Sequence, residues 1–177
     1  MKLIEGMKLL QELQKKADDL RGKVRLYCAH LSTEKPVYEN QDAQVKEWIQ
    51  AHHDILKKMS DLRVAIQKTN LATDVEIDVG GVKVTKSIAA WIHRRRDLAA
   101  SECLIWEGLT DRGLKEGIQK NSQNEVVQVH IVRYFSPGER DKNIDVYRHE
   151  PGLIDRTLEV TNAITDLVVS EGCGCKS

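Results

Sequence analysis

Residues 2–31 read KLIEGMKLLQELQKKADDLRGKVRLYCAHL, and their spacing decides the fold class. With heptad position a at Leu3, the a positions are Leu3, Leu10, Ala17, Val24 and Leu31. The d positions are then Gly6, Leu13, Leu20 and Tyr27. Every one except Gly6 is apolar, and the outer positions are rich in Lys, Glu, Gln, Asp and Arg. A repeat averaging 3.5 residues keeps one stripe of a helix against a partner. The spacing predicts a helix over 2–31, about 45 Å long.

The partner follows directly. Residues 32–42 contain Pro36, Asn40 and Asp42 and read as a loop with a helix start at its end. The next seam runs over 41–70, with Val45, His52, Met59 and Ile66 at a and Trp48, Ile55, Leu62 and Thr69 at d. Two helices of matching length and seam, joined by a short connection, make an antiparallel hairpin. One hairpin has a narrow core, so a further layer is expected from the rest of the chain or from another copy.

The period then changes. Residues 75–85 alternate apolar and polar side chains on both sides of Gly80-Gly81, which predicts a β-hairpin with a primed turn. A third helix is expected over 86–120, broken near Gly108 or Gly113, with Ile88, Trp91, Ile92, Leu98, Leu104 or Ile105, and Leu109 on its apolar face. Residues 125–136 read as a strand, with 143–148 returning beside it. Pro151 suits the first turn of a last helix over 151–170. The reading is a mainly α fold with minor β: a long antiparallel helical hairpin, two further helices and small β-hairpins. It forms one helical domain over 1–170, with β-ribbon insertions near 75–85 and 125–148 and a tail over 171–177.

Composition narrows the function. The chain has 177 residues, 27 Lys plus Arg against 27 Asp plus Glu, and 41% hydrophobic residues. That supports a packed core and argues against a direct nucleic-acid binder or a protein of anionic membranes, both of which need a positive field. No apolar run approaches the roughly 18 residues of a membrane span. Met1 opens directly into a charged amphipathic segment without a signal peptide, so a cytoplasmic protein is expected.

The four cysteines are then read as free thiols. Cys28 and Cys103 fall inside helical patterns and are expected to be small buried hydrophobes. Cys173 and Cys175 stand in a Gly-Cys-Gly-Cys tail. It is inert, forms intermolecular cross-links, or shares a metal between subunits.

A short internal echo stands out. Thr69-Asn70-Leu71-Ala72-Thr73-Asp74 returns as Thr161-Asn162-Ala163-Ile164-Thr165-Asp166. Such side chains hydrogen-bond neighbouring backbone or each other. Two roles follow: a polar clasp where helices cross, or a ligand or metal site using Asn70, Asp74, Asn162 and Asp166.

The chain resembles a family of small bacterial and phage proteins, some carrying a septicolysin-like label. The resemblance rests on Met1-Lys2-Leu3 with Leu13-Gln14-Lys15-Lys16, and on Ile66…Thr69-Asn70…Thr73. It continues through Ser87-Ile88-Ala89…Arg96-Asp97-Leu98, Arg133-Tyr134, Ile144-Asp145-Val146, and Leu158…Thr161-Asn162…Thr165-Asp166-Leu167. It implies a helical hairpin with a small β element that self-associates, and it does not carry a toxin activity over. The chain departs in having Ala163 where the family has Trp, and in its Cys tail.

Reactive constellations are sparse. Arg94-Arg95-Arg96 is the strongest basic cluster, but consecutive helical residues diverge by about 100°. A solvated or interface face is therefore favoured over a phosphate site. His52-His53-Asp54 lacks the i, i+4 histidine pair of a helical zinc site, and His52 reads as a register-setting seam residue. Gly80-Gly81 belongs to a turn and not to a phosphate cradle.

The expectation is a non-enzymatic structural protein with no cofactor, metal or catalytic residue. It forms a homo-oligomer through the hairpin seam, as a phage virion subunit that decorates the capsid or associates with the tail. Its partners are then itself and other virion structural proteins. The alternative is a cytosolic ligand- or metal-binding module built on the two Thr-Asn motifs.

Overall fold

A computed structural model describes residues 1–120 and 122–168. Cys173 and Cys175 lie outside the described residues. The elements in order are α1 (Leu3–Tyr27), α2 (Gln41–Ala72), β1 (Asp74–Val79), β2 (Val82–Ser87) and α3 (Ile88–His93). A π-helical turn (Arg94–Leu98), α4 (Ala99–Glu107), β3 (Gly117–Lys120), β4 (Val126–Val129) and α5 (Pro137–Ile164) follow. The fold is mainly α, with two small antiparallel hairpins, β1–β2 and β3–β4. No described helix is long and apolar enough to cross a membrane.

The chain divides into two compact units. Among the described residues, the first holds Met1–Asp74, Ser87–Ala89 and residues 159–168. The second holds Val75–Lys86 and Ala90–Leu158.

In the first unit α1 and α2 form the predicted antiparallel hairpin. Every α2 seam position, from Val45 and Trp48 through Ile55, Met59 and Leu62 to Thr69, is buried or half-buried. On α1, Leu3 and Ala17 are buried and Leu10, Leu13, Leu20 and Val24 are half-buried. Gly6, the one seam position without an apolar side chain, has a packing reason. A Cβ there would stand 3.3 Å from Leu167 and 3.5 Å from Leu62.

The helix α1 ends at Tyr27 and not at Leu31, which is exposed. The loop folds back at that end, where Tyr27, Tyr38 and Trp48 pack with ring centroids 5.3–5.7 Å apart. The Gln41 side-chain amide donates to the Tyr27 carbonyl at 2.7 Å, satisfying one of the orphan carbonyls of the helix end. Cys28 therefore lies past the helix and is exposed, contrary to the expected burial.

In the second unit β1–β2 closes as expected. Gly80 and Gly81 have φ of +63° and +88°, the signature of a primed two-residue turn. The expected helix over 86–120 stops at Glu107. A π turn also shifts its phase, so Ala99 and Cys103 take the buried face while Leu98, Leu104 and Ile105 are exposed.

The second ribbon is also corrected. Val126–Val129 pairs with Gly117–Lys120, and residues 143–148 are helical. Helix α5 starts at Pro137, fourteen residues before the expected Pro151, and ends at Ile164. The rule that places proline in a first helical turn holds, but for the other proline. Ser136 caps this helix start: its carbonyl accepts from the Arg140 amide at 2.9 Å. The alternation of Ile144-Asp145-Val146 is too short to separate a strand from a helix. The longer spacing of Tyr147, Glu150, Ile154 and Leu158, all buried or half-buried, is helical.

Candidate functional site

Two side-chain constellations stand apart from ordinary packing. The first is built on Arg94. In a regular α-helix, residues eight apart point about 80° from each other; one extra residue in a π turn brings them back to within about 20°. The turn over Arg94–Leu98, closed by the Ala99 amide donating to the Arg94 carbonyl, thereby aligns Arg94 with Glu102.

Arg94 Nη1 and Nη2 donate to the two Glu102 oxygens at 2.7 and 2.8 Å. Its Nε and Nη2 donate to Glu150 on α5 at 2.6 and 2.9 Å. The guanidinium also lies 5.6 Å from the centre of the Tyr147 ring. The Glu150 side chain is 1% exposed, that of Arg94 13% and that of Glu102 45%.

This geometry sets the ionisation. Hydrogen bonds to Glu102 and Glu150 raise the Arg94 pKa further, so it stays cationic at any relevant pH. The hydrogen bond from Arg94 holds the Glu102 carboxyl below the usual range. Burial, reinforced by the nearby Glu102 charge, raises the Tyr147 phenol. Two carboxylates thus flank one cation.

The arginines of the triple run point to different partners. Arg95 pairs with Asp155, and Arg96 reaches Asp97 and His93 Nδ1. Each of the three guanidinium groups has its own carboxylate. Glu102 lies eight residues after Arg94 in the same helical stretch. Glu150 could not be paired with Arg94 from the sequence, because its position depends on where α5 begins.

Cys103, four residues before Glu107, is buried. Burial and the Glu107 carboxylate push its thiol upward, away from the thiolate form that a nucleophile needs. Among the described residues, Cys28 and Cys103 are free cysteines. Also among the described residues, no three His, Cys, Asp or Glu side chains come together to hold a metal ion. The His52 and His53 rings are 6.3 Å apart and tilted, with His52 half-buried on the seam.

The second constellation is the Thr-Asn echo, and both copies occupy the same structural place. Each ends a helix. The Thr73 amide donates to the Thr69 carbonyl at 3.0 Å, and the Thr165 amide to the Thr161 carbonyl at 2.9 Å. Each second threonine then offers its own carbonyl to the first amide of another helix: Ile88 to Thr73, and Leu3 to Thr165, both at 2.9 Å. The donating residues are almost fully buried, Leu3 at 0% and Ile88 at 1%. The chain leaves both motifs extended, through Asp74 into β1 and through Asp166 into a bridge with Lys2. Lys2 Nζ pairs with Asp166 at 2.9 Å and donates to the Ile164 carbonyl at 2.8 Å.

The echo therefore encodes a helix exit that caps another helix start. Its clasp runs mainly through backbone. Thr69 Oγ1, fully buried, donates to the Ala65 carbonyl and accepts from the Val168 amide, both at 2.9 Å. Asn162 Oδ1 is buried without a hydrogen-bond partner among the described residues. Thr69→Val keeps the volume and orphans the Val168 amide. It is expected to lower the unfolding free energy by about 1–3 kcal/mol. Urea titration should show a lower midpoint at an unchanged slope; an unchanged midpoint would show that the hydroxyl does not hold the clasp.

No family model matches the chain, and no curated protein matches it. The chain is similar to a solved structure, the crystal structure of a functionally unknown conserved protein from Corynebacterium diphtheriae. The two share 18% identity over 95% of this chain and 99% of that one, with a TM-score of 0.56. At that identity the likeness shows a shared fold.

Proposed function

We propose that the protein is a non-enzymatic assembly subunit that forms a homo-oligomer through its helical hairpin. One observation carries this reading. Helix α2 bears a second apolar stripe besides its seam: Ile49, Leu56, Val64 and Leu71, exposed by 41%, 44%, 44% and 68%. At about 100° per residue the four fall within about 80° of the helix circumference, and they extend over about 33 Å. Scattered exposed apolar residues are ordinary, but an aligned stripe on a long helix marks an interaction face. The setting proposed for such a subunit is a virion, as a capsid-decorating or tail-associated protein.

The test is absolute mass by light scattering after size exclusion, with and without reductant. A discrete oligomer is expected. The double variant Leu56→Lys/Val64→Lys should run at the monomer mass with unchanged helical circular dichroism. A wild-type chain that is monomeric at tens of micromolar would refute the reading. Reductant sensitivity would assign a cross-linking role to the cysteines.

A further inference from the structure

The hairpin carries a cavity of about 270 Å³ between α1 and α2, roughly one helical turn from the rings of Tyr27 and Trp48. Arg21, Val24 and Arg25 of α1 line it, with Ile49 and His52 of α2. Positions three and four apart share a helix face, which is why 21, 24 and 25 converge on one wall and 49 and 52 on the other. The lining is almost wholly apolar, so the arginines contribute their stems and carry their charged heads outside it.

Two polar groups at this cavity lack partners. The His52 ring is half-buried at a seam position and makes no hydrogen bond among the described residues. Val24, beside it in the lining, offers no side-chain donor or acceptor. A ring nitrogen drawn away from water calls for a partner. Arg25 is exposed, with no ion pair or side-chain hydrogen bond among the described residues. Arg21 holds Asp18 at 3.0 Å and keeps donors to spare, since a guanidinium has five. The lining includes no carboxylate, and on α2 Asp42 is engaged by Lys46 at 2.6 Å. The end of α1 and the start of α2 meet at this end of the hairpin, so their opposite dipoles offset and the basic side chains set the local field.

We propose that this cavity binds a small amphiphilic anion, a short apolar body ending in a carboxylate. The body rests on Val24, Ile49 and the arginine stems, where removal of apolar surface from water drives it in. The carboxylate accepts from Arg25 and from the His52 ring, and hydrogen bonds to an ionised group are the strong ones. The volume is just below the roughly 300 Å³ at which ligand pockets begin, so the body is short, about eight carbons, and not a long acyl chain. Ile49, 41% exposed, gains an apolar contact that the hairpin itself does not supply.

The test is calorimetric titration of the full chain with octanoate, beside 1-octanol and acetate. Octanoate is expected to saturate one site per chain and to raise the melting temperature, as any ligand of the native state does. Octanol keeps the body without the charge, and acetate keeps the charge without the body; each should bind at least tenfold more weakly. Arg25→Gln, at an exposed position, should keep the helical circular dichroism and lose at least tenfold in octanoate affinity. Arg63→Gln, exposed on α2 outside the cavity, should bind as the wild type does. Octanol binding as tightly as octanoate, or Arg25→Gln binding it like the wild type, would overturn the proposal. Ile49 also belongs to the stripe of the assembly reading, so the titration is repeated on Val64→Lys/Leu71→Lys, whose changes lie twelve or more residues beyond His52. Binding by that variant alone supports the site and shows that the assembly covers it. No saturable binding by either chain up to about 10 mM octanoate overturns the site and leaves the assembly reading to light scattering.

Discussion

Arg94→Met is expected to lower the unfolding free energy by about 3–5 kcal/mol, the cost of leaving a buried charge without its partner. The Glu150 side chain, 1% exposed, keeps its position on α5 and loses the guanidinium that neutralises it. Arg94→Met/Glu150→Met should recover most of that loss, because apolar side chains of similar volume replace buried ion pairs at little cost. The double-mutant cycle isolates the coupling. A single-variant cost under about 1 kcal/mol would mean that water reaches the cluster in solution.

The pH dependence supplies a second readout. The Glu102 carboxyl is depressed in the folded state by Arg94, so its contribution is fully present above the ordinary glutamate value of 4.5. It is lost as pH falls through the lower folded value. Arg94→Met removes that acid-side loss along with the stabilisation. Glu102 is partly exposed, so solvent screening discounts its share.

Trp91→Ala should be comparably damaging, at about 3–5 kcal/mol. The ring is 1% exposed, and its indole N–H donates to the Val75 carbonyl at 2.9 Å. Lys86 Nζ lies 5.4 Å from the ring centre. Truncation leaves a cavity and also orphans a β1 carbonyl. Trp91→Phe separates the two effects: it keeps most of the packing and loses the hydrogen bond, and should cost about 1–3 kcal/mol from the orphaned carbonyl. Calorimetric melting of both variants reads the ratio. Equal costs would place the whole effect in the hydrogen bond, and a neutral Trp91→Ala would contradict the burial of the ring.

The hairpin was legible in the sequence because a heptad sustained over four or five repeats suits a helical seam and little else. The primed turn was legible because Gly80-Gly81 stands between two alternating runs. The later elements were harder for physical reasons. A π turn shifts the helical phase after Arg94 by one residue, so a regular 3.6-residue reading from Ile88 and Trp91 assigns Leu98 and Ile105 to the core in place of Cys103. Two prolines competed for one helix start, and the short alternation at Ile144-Asp145-Val146 pointed to the wrong one. The ion cluster depends on both features, so it could not be assembled from spacing alone. The Thr-Asn echo was visible as a repeat. Its meaning was not, because the groups it positions are backbone amides of Leu3 and Ile88, which no side-chain pattern marks.

The helix exit at Thr165 also sets the order in which the molecule can be made. The α1–α2 hairpin joins neighbouring segments and can form once residue 72 has left the ribosome. The amide of Leu3, at the head of that hairpin, finds its acceptor on Thr165, and the Met1 carbonyl finds its donor on Leu167. Contacts of such sequence separation close last. Until residues 165–167 have been made, the head of that hairpin lacks these partners, and the exit from α5 is what shuts it.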